Sequence, residues 1–283
     1  RSVKKDKPFF AYVPYNTPHS PMQVPDRWWN KFKDMNLEDM MRNRNPNKED
    51  RLHLLAALAM CENIDWNVGR LLKKLDQLHV TDDTIVVFHD NGPNGTRWNG
   101  DMEGRKGSTE EGGTRSPLLI KWPKGIKAGT EVMPIASVRD LLPTLCQLAG
   151  VKQRPLKVID GQSLKPLLSG NTKGWKTRTL VSTWKGKLGV RDQRFRLGYK
   201  GKLFDIENDP GQRVDVSKQF PKVTERLNQR KQSFQRKVLD KAGPDTRSFV
   251  IGHPGVSWTQ IPARDGTAHG GIKRSNKFPN CSY

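Results

Sequence analysis

A mixed α/β fold follows from three features of this 283-residue sequence. Leu54, Leu58, Ile64, Val68, Leu71, Leu75 and Leu78 recur at helical spacings and predict one long helix over 48–78. Directly after it, Thr84-Ile85-Val86-Val87-Phe88 is a continuous apolar, β-branched run of the kind a strand covered on both faces carries. A long helix feeding such a strand is half of a βαβ unit, so the sequence predicts a sheet flanked by helices. Further on, Leu188–Arg191, Phe195–Tyr199 and Lys202–Ile206 are short strand-like runs with turns between them, which predict a small antiparallel sheet.

The remaining elements fall around these. Phe9 to Val13 reads as a strand, and Pro18 and Pro21 turn the following stretch into a loop around His19. Asn45 or Asn47 is placed to cap the long helix. A Gly-rich loop spans Gly92 to Gly113 without apolar periodicity, and Pro117-Leu118-Leu119-Ile120-Lys121-Trp122 reads as a second buried strand. Val138 to Leu148 is a short apolar helix stopped at Gly150, and Pro221 to Leu239 suits a basic helix. The expected organisation is a large α/β part over 1–170, a sheet-and-helix subdomain over 171–242, and an irregular Gly-, Pro- and Asn-rich extension over 243–283. The start has no initiator Met and no apolar leader, and reads as a chain cut inside a domain.

Composition narrows the class. Eight Trp and ten Phe oppose general disorder. No apolar run approaches the roughly 20 residues that span a bilayer. The net charge is +21 and uneven: residues 1–150 carry 22 Lys and Arg against 19 Asp and Glu, residues 151–283 carry 28 against 10. That excess suits a polyanion, or balances an acidic segment elsewhere. Cys61, Cys146 and Cys281 fit no metal spacing, and the first two fall in apolar helical patterns where a buried small hydrophobe is expected.

Chemistry concentrates at the end of the apolar run. Asp90-Asn91-Gly92 offers a carboxylate and an amide oxygen, hard ligands for Ca²⁺ or Mg²⁺, where ligands gather in α/β sheets. The same tripeptide also suits a plain Asx turn. Gly104-Arg105-Lys106-Gly107 sets cations among glycines but misses phosphate-loop spacing; Lys106 reads either as a point charge on an oxyanion or as a solvated loop lysine. His19, held between prolines, is able to donate a proton or bind an anion, or simply to serve its loop.

In their order, these stretches resemble the type I sulfatase family of the alkaline-phosphatase-like superfamily. The matching pieces are Pro8–Tyr12 running to Pro18-His19-Ser20-Pro21, Glu62-Asn63-Ile64-Asp65 with Val68-Gly69-Arg70, Thr84 through Gly92, Lys106 through Pro117, and Leu203-Phe204-Asp205-Ile206-Glu207-Asn208-Asp209-Pro210. Ile261–Gly266 and Lys273–Asn276 are similar to an extension of some bacterial members. The resemblance implies a sulfatase-like mixed sheet flanked by helices and hydrolysis of sulfate esters of an aryl or polysaccharide substrate. It implies Asp90 and Asn91 as ligands of one Ca²⁺, and His19 and Lys106 as catalytic contacts to sulfate and leaving oxygen. Arg97, Trp98 and Asn99 become substrate-binding candidates. His89 stands where the family often has Ser or Thr, and Glu111-Gly112-Gly113 with Arg115 reads as architecture.

The family's nucleophile is a formylglycine made in a Cys/Ser-x-Pro-x-Arg motif, and no Cys or Ser here begins one. The resemblance therefore implies a fragment without the nucleophile, inactive alone, with export to periplasm or exterior by analogy. The expected partner is a sulfated small molecule or glycan, with no nucleic acid and no transmembrane segment. Two other readings stand beside it. A phosphodiesterase or phosphonate hydrolase of the same superfamily would favour clustered His, and the six His are scattered. A non-catalytic polyanion-binding module is motivated by the basic second half.

Overall fold

The computed structural model describes residues 7–38, 50–92, 95, 97–151, 158–242, 254–255, 257 and 269–271. The Asn45 and Asn47 caps, and nearly all of the 243–283 extension with its two matching stretches, lie outside them. The chain forms two units, Arg1–Lys237 and Val238–Tyr283.

In the first unit, helix α1 (Asp26–Trp29) packs on the long helix α2 (Arg51–Gln77). Asp50 caps α2, its carboxylate accepting from the His53 N–H at 3.0 Å. Leu54, Leu55, Ala56, Ala57, Ala59, Met60 and Ile64 are buried on α2, and Leu37 lies under Leu54 and Leu55 with Trp29, Phe32 and Met35 around it. Small residues at 56, 57 and 59 let neighbours close in on that half. The later apolar positions are less covered, and Leu71 is exposed. Trp28 and Trp66 stand 5.8 Å apart, with the Arg27 guanidinium 4.6 and 4.4 Å from their ring centres.

Strand β1 (Val86–His89) follows α2 and pairs antiparallel with β2 (Leu118–Lys121), Val86 opposite Lys121 and His89 opposite Leu118. Between them lies the short helix α3 (Glu111–Thr114). Among the described residues only these two strands form the sheet, and Val86, Val87 and Phe88 are half-buried, not enclosed on both faces. Phe9 to Val13 joins no ladder among the described residues, and its side chains are exposed. The strand expected there is therefore absent: backbone pairing, and not apolar composition, makes a strand.

A 3₁₀ turn over Val138–Asp140 leads into α4 (Leu141–Leu148), and α5 (Lys165–Leu168) follows. Buried Asp140 organises this corner. Its carboxylate accepts from the Ser137 N–H at 2.7 Å and the Gln162 N–H at 2.9 Å, and pairs with both ends of the Arg178 guanidinium. The Thr144 hydroxyl donates to the Asp140 carbonyl and accepts from the Leu164 N–H. No buried donor in this set is left open, which is what fixes one packing.

The second sheet is a meander, β3 (Leu180–Trp184), β4 (Lys187–Arg191), β5 (Phe195–Leu197) and β6 (Leu203–Asp205), all antiparallel in that order. Helix α6 (Pro221–Phe234) covers it. Val190, Phe195, Leu197, Leu203, Val216 and Leu227 form the core between them. Strand β3 precedes the runs legible in the sequence; its Ser182, Thr183 and polar neighbours hide the pattern until β4 pairs with it. In the second unit, the Ala242 N–H donates to the Val238 carbonyl at 3.0 Å.

Candidate active site

At the end of β1 the backbone turns through Asp90 and Asn91. The Asp90 carboxylate accepts from the Asn91 N–H at 2.6 Å, and Gly92 takes φ +94°, a conformation costly for any residue with a Cβ. This bond goes to the next residue's N–H, one position short of an Asx turn, and both side chains stand at the end of the strand. Lys106 lies against this turn: a Cβ placed on Gly92 would stand 3.9 Å from the Lys106 Cβ. Two segments fourteen positions apart therefore meet at Gly92, with Lys106 half-buried there.

The loop between them is fastened from several sides. The Asn99 amide donates to the Gly104 carbonyl at 2.9 Å, and the Asp101 carboxylate pairs with Arg213. The Glu103 N–H donates to the Pro210 carbonyl at 3.4 Å, and the Glu111 N–H to the Gln212 side-chain oxygen at 2.9 Å. A Cβ on Gly112 would stand 2.6 Å from the Gly104 carbonyl, and one on Gly113 would stand 2.5 Å from the Arg105 carbonyl. Both glycines are dictated by space rather than φ. Asn99, a substrate-binding candidate in the sequence, here holds the loop in shape.

Beneath the loop sits a buried ion cluster. Arg196 on β5 and Glu111 on α3 are both within 2% of full burial. The Arg196 guanidinium donates to Glu111 Oε2 at 2.8 Å, to the Thr114 hydroxyl at 2.8 Å and to the Thr109 carbonyl at 2.5 Å. The Arg191 Nε lies 3.1 Å from the same carboxylate oxygen. Burial lowers the Arg191 pKa; the Glu111 charge opposes this, while Arg196 and Arg115 reinforce it. The meander thereby clamps the segment carrying Lys106. Nothing in the sequence pairs positions 85 apart, so this clamp is a discovery of the fold.

Arg97 is largely desolvated, which lowers its pKa, while Cys61 and Asp90 within electrostatic range oppose that shift. The structure therefore brings Arg97 to the Asp90 end of β1. Trp98 is exposed beside it. Two α2 residues that the sequence did not assign to the site border the same loop. A Cβ on Gly95 would meet His53 Cε1 at 2.8 Å, and Cys61 shares the field of Arg97 and Asp90. Burial and Arg97 lower the His53 pKa. Cys61 is solvent-exposed, contrary to the buried small hydrophobe expected; Cys146 is half-buried. Partial desolvation still pushes the Cys61 thiol up, more than Arg97 pulls it down.

His19 lies in its own loop. Its N–H donates to the Asn16 carbonyl at 3.2 Å, and its Nδ1 is 2.9 Å from the Ser20 carbonyl. His89 is turned to β2, with Nδ1 3.3 Å from the Pro117 carbonyl. Among the described residues no group of three or more His, Cys, Asp and Glu is spaced to hold a metal. Asp90 and Asn91 have the right oxygen chemistry for Ca²⁺, but an ion taking six to eight oxygens needs more ligands than these two side chains supply.

Comparison with known proteins places this geometry. The Sulfatase family model matches residues 2–151, and that for N-sulphoglucosamine sulphohydrolase, C-terminal, matches residues 106–237. The chain belongs to the sulfatase family. It is 40% identical over 121 residues to mouse (Mus musculus) steryl-sulfatase, covering 39% of this chain and 19% of that protein. It is 28% identical over 218 residues to the N-acetylglucosamine-6-O-sulfatase of Bacteroides thetaiotaomicron, covering 69% and 37%. The crystal structure of Ps i-CgsB superposes with a TM-score of 0.70 at 29% identity, over 82% of this chain and 51% of that one. The same protein is also solved in complex with k-i-k-neocarrahexaose, with a TM-score of 0.69. The chain thus spans about half the length of that structure and less of the curated relatives. The mixed α/β architecture is that of sulfatases.

Proposed function

We propose that this chain forms the sulfate- and metal-facing part of a sulfuric ester hydrolase that acts on a sulfated aryl compound or glycan. The observation that carries the reading is Lys106 packed against the Asp90-Asn91-Gly92 turn. That contact brings the base of the Lys106 side chain to the strand end carrying two hard oxygen donors, and a lysine is long enough from there to meet an oxyanion that a divalent metal also holds. Arg97 adds a second positive charge within electrostatic range of Asp90.

In this reading Asp90 and Asn91 hold Ca²⁺ together with ligands from outside the described set. Bound there, the ion would draw charge from the sulfate oxygens as a Lewis acid. Lys106 and Arg97 orient the sulfate, and Lys106 offsets the charge that grows on the departing oxygen as the S–O bond breaks. On the family resemblance, His19 would give a proton to the departing oxygen. Trp98, exposed at the rim, contacts the organic group of the substrate, and Asn99 contributes by shaping the loop. The formylglycine motif does not occur in these 283 residues, so the chain by itself is expected to release no product from an aryl sulfate. Location in the periplasm or outside the cell belongs to the same reading.

Calorimetric titration of the chain with sodium sulfate and Ca²⁺ tests it. Removing a charge-assisted contact in Lys106→Ala is expected to weaken sulfate binding about tenfold or more. Equal affinity in both proteins removes Lys106 from the site.

A further inference from the structure

The β3–β4 hairpin reaches the Lys106 loop at two points. Gly189 on β4 lies under Thr109, where a Cβ would stand 2.9 Å from the Thr109 carbonyl. At the tip, the Trp184 indole rests on Gly107: a Cβ there would meet ring atoms Cε2, Cζ2 and Nε1 at 3.6 Å. Trp184 is therefore one residue from Lys106 in space as Gly107 is in sequence, yet 49% of it remains open to solvent.

The tip is built to hold that ring still. Trp184 and Lys187 are opposite one another, and Lys185 (φ 47°) and Gly186 (φ 77°) close a two-residue turn with both central residues left-handed. Lysine carries no special preference for that conformation, so its presence at the first turn position is not a demand of the turn. It is exposed, and no ion pair engages it among the described residues. Lys187, across the hairpin, stacks its ammonium 4.7 Å from the Tyr199 ring centre.

We infer that Trp184 and Lys185 form a saccharide subsite beside Lys106, taking the sugar ring next to the sulfated one in an anionic glycan. The proposal rests on Lys106 binding the sulfate, and it selects a glycan over an aryl sulfate as substrate. The reasons are chemical. A pyranose presents a C–H face that covers an exposed indole, burying apolar area and making weak C–H contacts to its electron-rich face. A further sulfate or carboxylate on that ring meets the Lys185 ammonium. An aryl sulfate has neither the second ring nor the second charge, and would leave both side chains in water.

Calorimetry on the full chain with Ca²⁺ tests this with two probes, a heparin-derived sulfated hexasaccharide and 4-nitrocatechol sulfate. In Trp184→Ala the preference for the hexasaccharide over the aryl sulfate is expected to fall about tenfold, and Trp184→Phe, which keeps a ring on Gly107, recovers most of it. Lys185→Ala lowers the same ratio more in low salt than in high salt. Lys106→Ala weakens both probes. An unchanged ratio in Trp184→Ala, with Lys106→Ala still weakening both probes, overturns the subsite and leaves the sulfate site standing. Lys106→Ala binding both probes as tightly as the wild type, or a wild-type chain binding neither, overturns the subsite together with the reading beneath it.

Discussion

Glu111 and Arg196 illustrate how a single buried pair governs a functional loop from below. Desolvating two charges costs several kcal/mol per ion, and the return comes only if every donor and lone pair finds a partner. Here Arg196 serves Glu111, Thr109 and Thr114 together. Replacing Arg196 by Met leaves the Glu111 carboxylate with Arg191 at 3.1 Å and the exposed Arg115 at 3.8 Å, and is expected to cost about 3 kcal/mol in urea unfolding. Glu111→Leu combined with Arg196→Met removes both charges, so the double variant should be more stable than the sum of the single losses. Additive losses would show that the two side chains do not act as a pair. Lys106 lies on the segment that this pair holds, against Gly92 and next to Gly107.

The element that matters most is the loop from Asn99 to Arg115, irregular in backbone yet fixed in position. Its order comes from contacts to other elements: Asp101 to Arg213, Glu103 to Pro210, Glu111 to Gln212 and Arg196. Gly113→Ala would push a methyl to 2.5 Å from the Arg105 carbonyl, beside the Ser108 hydroxyl. The backbone must move, at a cost of about 1–3 kcal/mol, and Lys106 moves with it. The variant is expected to lower the thermal midpoint and also weaken sulfate binding; weaker stability with unchanged sulfate affinity would separate the glycine turn from the site. The long helix α2 contributes differently. Its first half is a buried support, and its Cys61 and His53 side lines the loop that carries Arg97.

Across the whole molecule, charge sets the response to acid. Burial alone would raise the Asp140 carboxyl, but hydrogen bonds from Arg178 and from the Gln162 and Ser137 N–H groups outweigh it and hold it below the usual carboxylate range. Asp205 is lowered chiefly by its bond from Arg194. Desolvation opposes the shift at Asp215, where bonds from Ser217 and Leu203 prevail. A carboxylate with a lower pKa folded than unfolded stabilises the fold above its unfolded value, and that support disappears as pH falls through the folded one. Unfolding midpoints are therefore expected to be flat from neutrality to about pH 5 and to drop below about pH 4. Asp140→Asn should be less stable at neutral pH and should lose less on acidification; an identical acid slope would take Asp140 out of the effect.

The long helix, the strand leading to Asp90, the short strands of the meander and the order of family stretches were all legible in the sequence, because apolar periodicity and turn residues act over a few positions. Asp90, Asn91 and Lys106 were singled out the same way, as residue types suited to an anion and a metal. The sequence did not disclose that Phe9–Val13 joins no ladder, that Val86–Phe88 are covered only in part, or that Cys61 faces solvent. Those outcomes depend on which segments come to lie alongside, and burial is a property of neighbours. Nor did it disclose that Asn99 ties the loop, that Arg196 reaches Glu111, or that Trp184 settles on Gly107. These contacts join positions as far as 85 apart, and only the folded chain decides which distant groups share the desolvated space where a charge, a carbonyl and a ring must satisfy one another.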